Sequence, residues 1–165
     1  MALVVEDGSG LADANSYITL AEVRAFAIDR GVTLPSSDDS LIPLLVQACD
    51  WTESYADRFV GTKTTETQAL AWPRLDSEGV DLGIPAMLKR AQCFAVISAH
   101  NGITLQPDVA ADVARVTKEK VGDLEVNYSA PKLDELQAGP QLTAAYSALK
   151  TLFYSSSLGF TTIRV

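Results

Sequence analysis

The residues able to do chemistry are few, and their spacing keeps them apart. His100 is the one histidine. A general base needs a nucleophile within reach and a third group to orient it, and no Ser or Cys stands with His100 in a recognised motif. Its position in the last turn of an expected helix suits a cation facing the carbonyl end. Cys49 and Cys93 fall among apolar residues inside expected helices and read as small core side chains. Two cysteines this far apart cannot build the disulfide framework of a small secreted domain. Ser147-Ala-Leu-Lys150 spells the S-x-x-K string of serine acyl enzymes, but the partner strings S-D-N and K-T-G are absent. Asp7-Gly8-Ser9-Gly10 begins like a calcium loop, yet Leu11 occupies the fifth position and Ala12 the sixth, where glycine is required. Asn127-Tyr128-Ser129 is a sequon by letters only. Asp38-Asp39 and Asp134-Glu135 read as solvated acids near helix starts. Nothing assembles a nucleophile, a base and an oxyanion site, or a metal ligand set. The expectation is a protein without catalysis, metal or cofactor.

The elements that would position these residues are mainly helical. Ala2–Glu6 reads as a strand or extended arm that stops at the turn cluster Asp7–Gly10. Thr19 and Glu22 have capping-box spacing ahead of a helix with Leu20, Val23, Phe26 and Ala27 on one face, ending near Arg30 before Gly31. A second helix is expected from about Ser40 to Phe59. It carries the stripe Leu41, Leu44, Leu45, Ala48, Thr52, Tyr55 and Phe59, with Asp50, Glu53, Asp57 and Arg58 on or near the other side. Residues 61–66 read as linker and 67–71 as a short helical turn broken at Trp72-Pro73-Arg74. A third helix opens at Pro85 as its first residue and runs to His100, before Asn101-Gly102. Val113–Val121 and Leu124–Tyr128 around Gly122-Asp123 predict a β-hairpin. Pro140 opens the last helix, with Leu142, Ala145, Tyr146, Leu149, Leu152 and Phe153 at helical spacing.

The fold class expected is therefore mainly α: a small bundle of about four helices with one β-hairpin and extended N- and C-terminal arms. Residues 1–154 form a single helical domain with its hairpin at about 113–129, and 155–165 form a C-terminal tail. A chain of 165 residues suits one domain that needs no staple. No apolar run approaches the roughly 18 residues that span a bilayer, and Glu6 interrupts the N-terminus before a signal-peptide core develops. A soluble intracellular protein is expected.

Charge excludes more. Thirteen Lys and Arg against 21 Asp and Glu give −8. Residues 1–60 hold three basic residues and ten acidic ones, or −7, and residues 61–165 hold ten and eleven, or −1. Tight nucleic-acid binding rests on clustered cations that neutralise phosphates, and no such stripe occurs. An acidic wall past which DNA slides is compatible with this balance.

Three stretches then carry a resemblance. Met1-Ala-Leu-Val-Val-Glu-Asp-Gly-Ser-Gly-Leu-Ala-Asp-Ala-Asn-Ser-Tyr17 and Thr67-Gln-Ala-Leu-Ala-Trp-Pro-Arg74 resemble tailed-phage proteins catalogued as DnaT-like. Lys118-Glu-Lys-Val-Gly-Asp-Leu-Glu-Val-Asn-Tyr128 resembles the hairpin of phage head–tail connectors. The resemblance implies a virion structural protein: a homo-oligomeric ring, typically of twelve copies, at the neck beneath the portal. Such a ring extends the DNA channel and receives the next tail component, after assembly in the host cytoplasm. DNA would pass through without specific binding, and no membrane is involved. The DnaT-like label implies instead single-stranded DNA binding in primosome assembly. Such a binder wants a basic groove lined by aromatics, whereas Phe26, Tyr55, Phe59, Phe94, Tyr146 and Phe153 lie on helical core stripes and Trp72 reads as a packing anchor.

Two sets of partner-binding residues follow. Lys118 and Lys120 alternate with Glu119, making one strand face basic. The plain reading is a solvated edge protected by lysines; the functional one is a subunit contact. Leu158, Phe160, Ile163, Arg164 and Val165 follow the hinge Ser155-Ser156-Ser157. They read as a tail that either folds back on its own core or docks on the portal or a neighbouring subunit.

Overall fold

The computed structural model describes residues 2–106 and 142–154, together with the backbone of 118–121 and 124–127. Four α-helices stand among them: α1 Leu20–Ile28, α2 Asp38–Glu53, α3 Ala86–His100 and α4 Thr143–Leu149. The mainly helical class with one antiparallel hairpin is the observed architecture. Helix α3 is central and packs against α1, α2 and α4. Its buried face is Leu88, Ala91, Gln92, Cys93, Ala95 and Val96, and the alanines let neighbouring helices approach closely. Leu41 and Leu45 of α2 and Leu149 of α4 are fully buried, each contributing about 1.5–3 kcal/mol by leaving water.

Helix α1 begins as its spacing requires. Thr19 Oγ1 accepts from Glu22 N (3.1 Å) and Glu22 Oε2 accepts from Thr19 N (2.7 Å), a complete capping box. Helix α2 starts at Asp38, with Arg24 of α1 bound to the Asp38 carboxylate at 2.8 Å. It ends at Glu53 rather than near Phe59. Thr52 Oγ1 donates to Cys49 O and Ser54 Oγ to Trp51 O, drawing on carbonyls of the last turn, and the chain leaves through a 3₁₀ turn at Ala56–Arg58. Pro85 is the cap before α3 rather than its first residue. After α4 the expected helix gives way to a 3₁₀ turn, Lys150–Leu152, and Phe153 forms an antiparallel bridge with Phe59.

Two segments depart from expectation. Residues 61–66 contain a strand, β1 Thr62–Lys63, which pairs antiparallel with β2 Arg74–Leu75. Residues 67–71 are not helical but bend without helical hydrogen bonds. Gln68 organises them instead. Its Nε2 donates to Leu70 O (2.9 Å) and Pro73 O (3.0 Å), and its Oε1 accepts from Thr65 N (2.9 Å). The Trp72–Pro73 peptide is cis.

The N-terminal arm is extended and spends its backbone on its own chain. Val5 bridges Ser16 in parallel, with Glu6 N donating to Ser16 O and Asn15 N to Val4 O, both at 2.9 Å. In the hairpin, β3 Lys118–Val121 pairs with β4 Leu124–Asn127 in the register Lys118↔Asn127 to Val121↔Leu124. The expected first part of that hairpin, 113–117, and the C-terminal arm, 155–165, lie outside the described residues.

Gly61 marks the tightest backbone approach. Its φ is +76°, and a Cβ there would stand 2.1 Å from the Leu75 carbonyl oxygen. Gly79 has a similar φ of +81° but open space around it. Gly61→Ala should therefore lose roughly 2–5 kcal/mol, from the left-handed conformation plus the forced separation of β1 and β2. Gly79→Ala should lose only about 1–2 kcal/mol. Urea unfolding of both variants checks this; equal losses would mean that the β1–β2 approach carries no special constraint.

Candidate functional site

Two of the three strings that carry the resemblance, 1–17 and 67–74, meet at one buried polar junction. Glu6, 1% exposed, turns its carboxylate onto the glycine turn that follows. Oε1 accepts from Gly8 N and Gly10 N at 2.9 Å, and Oε2 from Leu11 N at 2.8 Å. Asn15 ties the arm down, Oδ1 accepting from Val4 N and Nδ2 donating to Ala2 O. Ser16 and Tyr17 then meet α3. Gln92 Oε1 accepts from Tyr17 N (2.9 Å), while Gln92 Nε2 donates to Ser16 Oγ (2.9 Å) and Leu45 O (3.0 Å).

The Tyr17 hydroxyl donates to Glu53 Oε1 (2.5 Å) and accepts from Trp72 N (3.1 Å). Glu53 Oε2 accepts from Ala71 N (2.8 Å). Burial, before any other influence, raises the Glu53 carboxyl above its ordinary value of 4.5. Burial likewise raises the Tyr17 phenol, with the adjacent Glu53 charge acting the same way. Arg74 completes the junction. Nε donates to Val60 O (2.7 Å), Nη1 to Ala71 O (3.2 Å), and Nη2 to Gly61 O (2.6 Å) and Phe59 O (3.4 Å). A guanidinium has no acceptor of its own and five donors, and these four carbonyls occupy it. It staples the end of the 3₁₀ turn to the 71–74 loop and has no phosphate-facing role. Trp72 is 1% exposed and packs edge-on to Phe59 at 5.8 Å.

The groups singled out for chemistry stay apart. Cys49 and Cys93 are buried and free, and burial pushes both thiols up, Cys93 to about 12. His100 is exposed at the end of α3. Among the described residues no group of three or more His, Cys, Asp or Glu is placed to hold a metal ion, and no helix is long and apolar enough to cross a membrane. An open depression of about 420 Å³ between α2 and the end of α3 is lined by Gln47, Asp50, Ile103 and Gln106, among others. It contains no Cys, His or Ser.

Lys118 and Lys120 lie on β3, opposite Asn127 and Glu125. Leu158, Phe160, Ile163, Arg164 and Val165 lie outside the described residues. The surface cations divide. Arg24 is bound to Asp38 and Lys89 to Glu22 (3.0 Å). Arg58 stands 5.6 Å from the Tyr55 ring, beside a half-exposed aromatic group in which Tyr55, Tyr146 and Phe153 are mutually in contact. Tyr154, 60% exposed, follows it.

Glu53, Gln92 and Arg74 escaped sequence reasoning. One signal was present for Glu53: it lies four residues after Cys49 and eight after Leu45, at the edge of the apolar stripe. Removing its carboxylate strands the Tyr17 hydroxyl and the Ala71 amide, so Glu53→Ala should lose about 2–4 kcal/mol. The raised folded value means that the protonated form is favoured in the fold. The carboxyl's contribution is fully present below the unfolded value near 4.5 and declines as pH rises through the folded value. Wild type should therefore lose stability relative to Glu53→Gln as pH rises above the unfolded value near 4.5, measured by urea unfolding at a series of pH values. A constant gap across that series would refute the burial effect.

A family model described as "Putative DnaT-like ssDNA binding protein" matches residues 1–165. No curated protein and no solved structure matches the chain.

Proposed function

This chain belongs to the DnaT-like ssDNA-binding family, and from that premise we propose that it serves as a non-catalytic structural protein of a tailed-phage virion. In this reading it is a head–tail connector, an oligomeric ring, of twelve copies as in the connectors it resembles, beneath the portal at the neck. The ring links head to tail and extends the channel through which DNA passes unbound. One observation carries the choice over single-strand binding. Five polar residues that the two family-like strings bury or half-bury, Glu6, Asn15, Ser16, Gln68 and Arg74, are occupied with backbone and side-chain groups of the chain itself. Trp72, the ring that could stack a base, is buried. A single-strand site needs exposed aromatics along a basic track, and these strings supply a scaffold. The surface charge of −8 per copy, near a hundred negative charges over twelve copies, suits a lumen that repels DNA.

Single-stranded DNA binding is the second reading. The family description and the half-exposed aromatic group at Tyr55, Tyr146 and Tyr154 with Arg58 beside it favour it. Two measurements on the full chain separate the readings. Negative-stain imaging should show rings, alone or on addition of a portal complex, and fluorescence anisotropy with a labelled single-stranded oligonucleotide should show no binding near physiological salt. A dissociation constant below about a micromolar that weakens steeply with salt, as counterion release requires, would reverse the order. In that case Arg58→Glu and Tyr154→Ala should each weaken binding, base stacking being worth about 1–3 kcal/mol per base.

A further inference from the structure

On the face shared by α1 and α3, Phe26 and Phe94 meet edge to face with centroids 5.1 Å apart. The Arg30 guanidinium lies over the Phe26 ring at 3.4 Å and stands 5.3 Å from Phe94, and Arg90 stands 5.4 Å from the same Phe94 ring. The two guanidinium carbons are therefore within about 11 Å of each other. Arg30 spends one donor on Phe26 O (2.8 Å). Arg90 has neither a hydrogen bond nor an ion pair among the described residues. The one carboxylate within α1 is already spent, since Glu22 caps its own helix and binds Lys89.

We propose that Arg30 and Arg90, held on Phe26 and Phe94, form a docking site for the carboxylate-rich surface of a second copy of this chain. The stacking holds both side chains against rings, so little rotamer freedom remains to be lost on binding. Arginine is among the residue types enriched at interface hot spots, and its planar fork matches a carboxylate with two parallel bonds. The complementary charge is on the same chain. Residues 1–60 carry −7, and Asp39 and Asp57, on other elements than the two arginines, are exposed there without a side-chain bond among the described residues. A basic patch facing a different, acidic patch makes a head-to-tail contact, which closes into a ring when the rotation allows. The proposal rests on the ring reading and names one of its contacts.

Sedimentation velocity over a concentration series, at low salt and near physiological salt, tests it on the full chain. Wild type should self-associate, and Arg30→Glu with Arg90→Glu should weaken association by about tenfold or more, the equivalent of one charge-assisted pair. Arg90→Glu alone should also weaken it, and because Arg90 loses only an exposed ring contact, its melting temperature should fall by no more than a few degrees. Lys150→Glu, an equal charge change on the exposed end of α4, should leave association unchanged. Association unaltered in both arginine variants would overturn this contact and leave a ring through another surface open. A wild type that stays monomeric throughout would overturn this self-contact, and an absence of rings with a portal complex present would overturn the ring reading as well. Equal weakening by Lys150→Glu would reduce the effect to net charge and overturn the site. Loss of oligonucleotide binding in Arg90→Glu would make phosphate the ligand, with the same consequence.

Discussion

A carboxylate taken out of water has to be answered by donors, and at Glu53 the fold supplies them from two distant stretches of chain. Tyr17 comes from the N-terminal arm and Ala71 from the loop before β2, while Trp72 N reaches the same group through the tyrosine oxygen. Leaving any of these donors unpaired would cost about 1–3 kcal/mol, so their positions are not independent. Once Tyr17 is fixed, its own amide fixes Gln92, and Gln92 ties α3 to Leu45 of α2. Arg74 then binds the carbonyls that follow the 3₁₀ turn. The helices supply the apolar burial, and this chain of polar contacts sets where the irregular segments lie against them.

That division explains how much could be read from the residues. The capping box at Thr19 and Glu22, the stripe of α2 from Leu41 to Thr52, the span of α3 and the hairpin around Gly122-Asp123 are local consequences of spacing, and the structure has them. Glu53 read as a side chain near the solvent face because periodicity cannot tell a carboxylate at the edge of a stripe from one just outside it. Its partners lie 18 and 36 positions away, and those of Gln92 47 to 76 away. No window of local sequence contains them. The strands β1 and β2 escaped for a different reason: two residues cannot display alternation. Of the residues expected to bind partners, Lys118 and Lys120 were placed correctly on a hairpin strand, whereas the tail from Leu158 lies outside the described residues.

The same facts limit what a family resemblance says about function. The strings at 1–17 and 67–74 are constrained by the junction, with a glycine turn wrapped on Glu6, an amide bridging the arm, and a guanidinium bound to four carbonyls. Residues constrained in this way identify a fold. Functions are grafted onto folds through the residues left free, and here several of those stand on the surface outside the two strings.

Among the described residues, those free groups include Arg58, Arg90 and Lys150, with most donors of Arg30. A net negative charge sets copies of the chain against one another at long range. Charges separated by more than about 8–10 Å at physiological ionic strength are largely screened, however, so net charge governs solubility more than it governs a contact. What decides association is the handful of charges that come within a few ångströms of a neighbour. In a surface carrying −7 over its first sixty residues, carboxylates are available over a wide area and do not define an orientation. The scarce unpaired arginines do, and two of them are seated on the same aromatic pair.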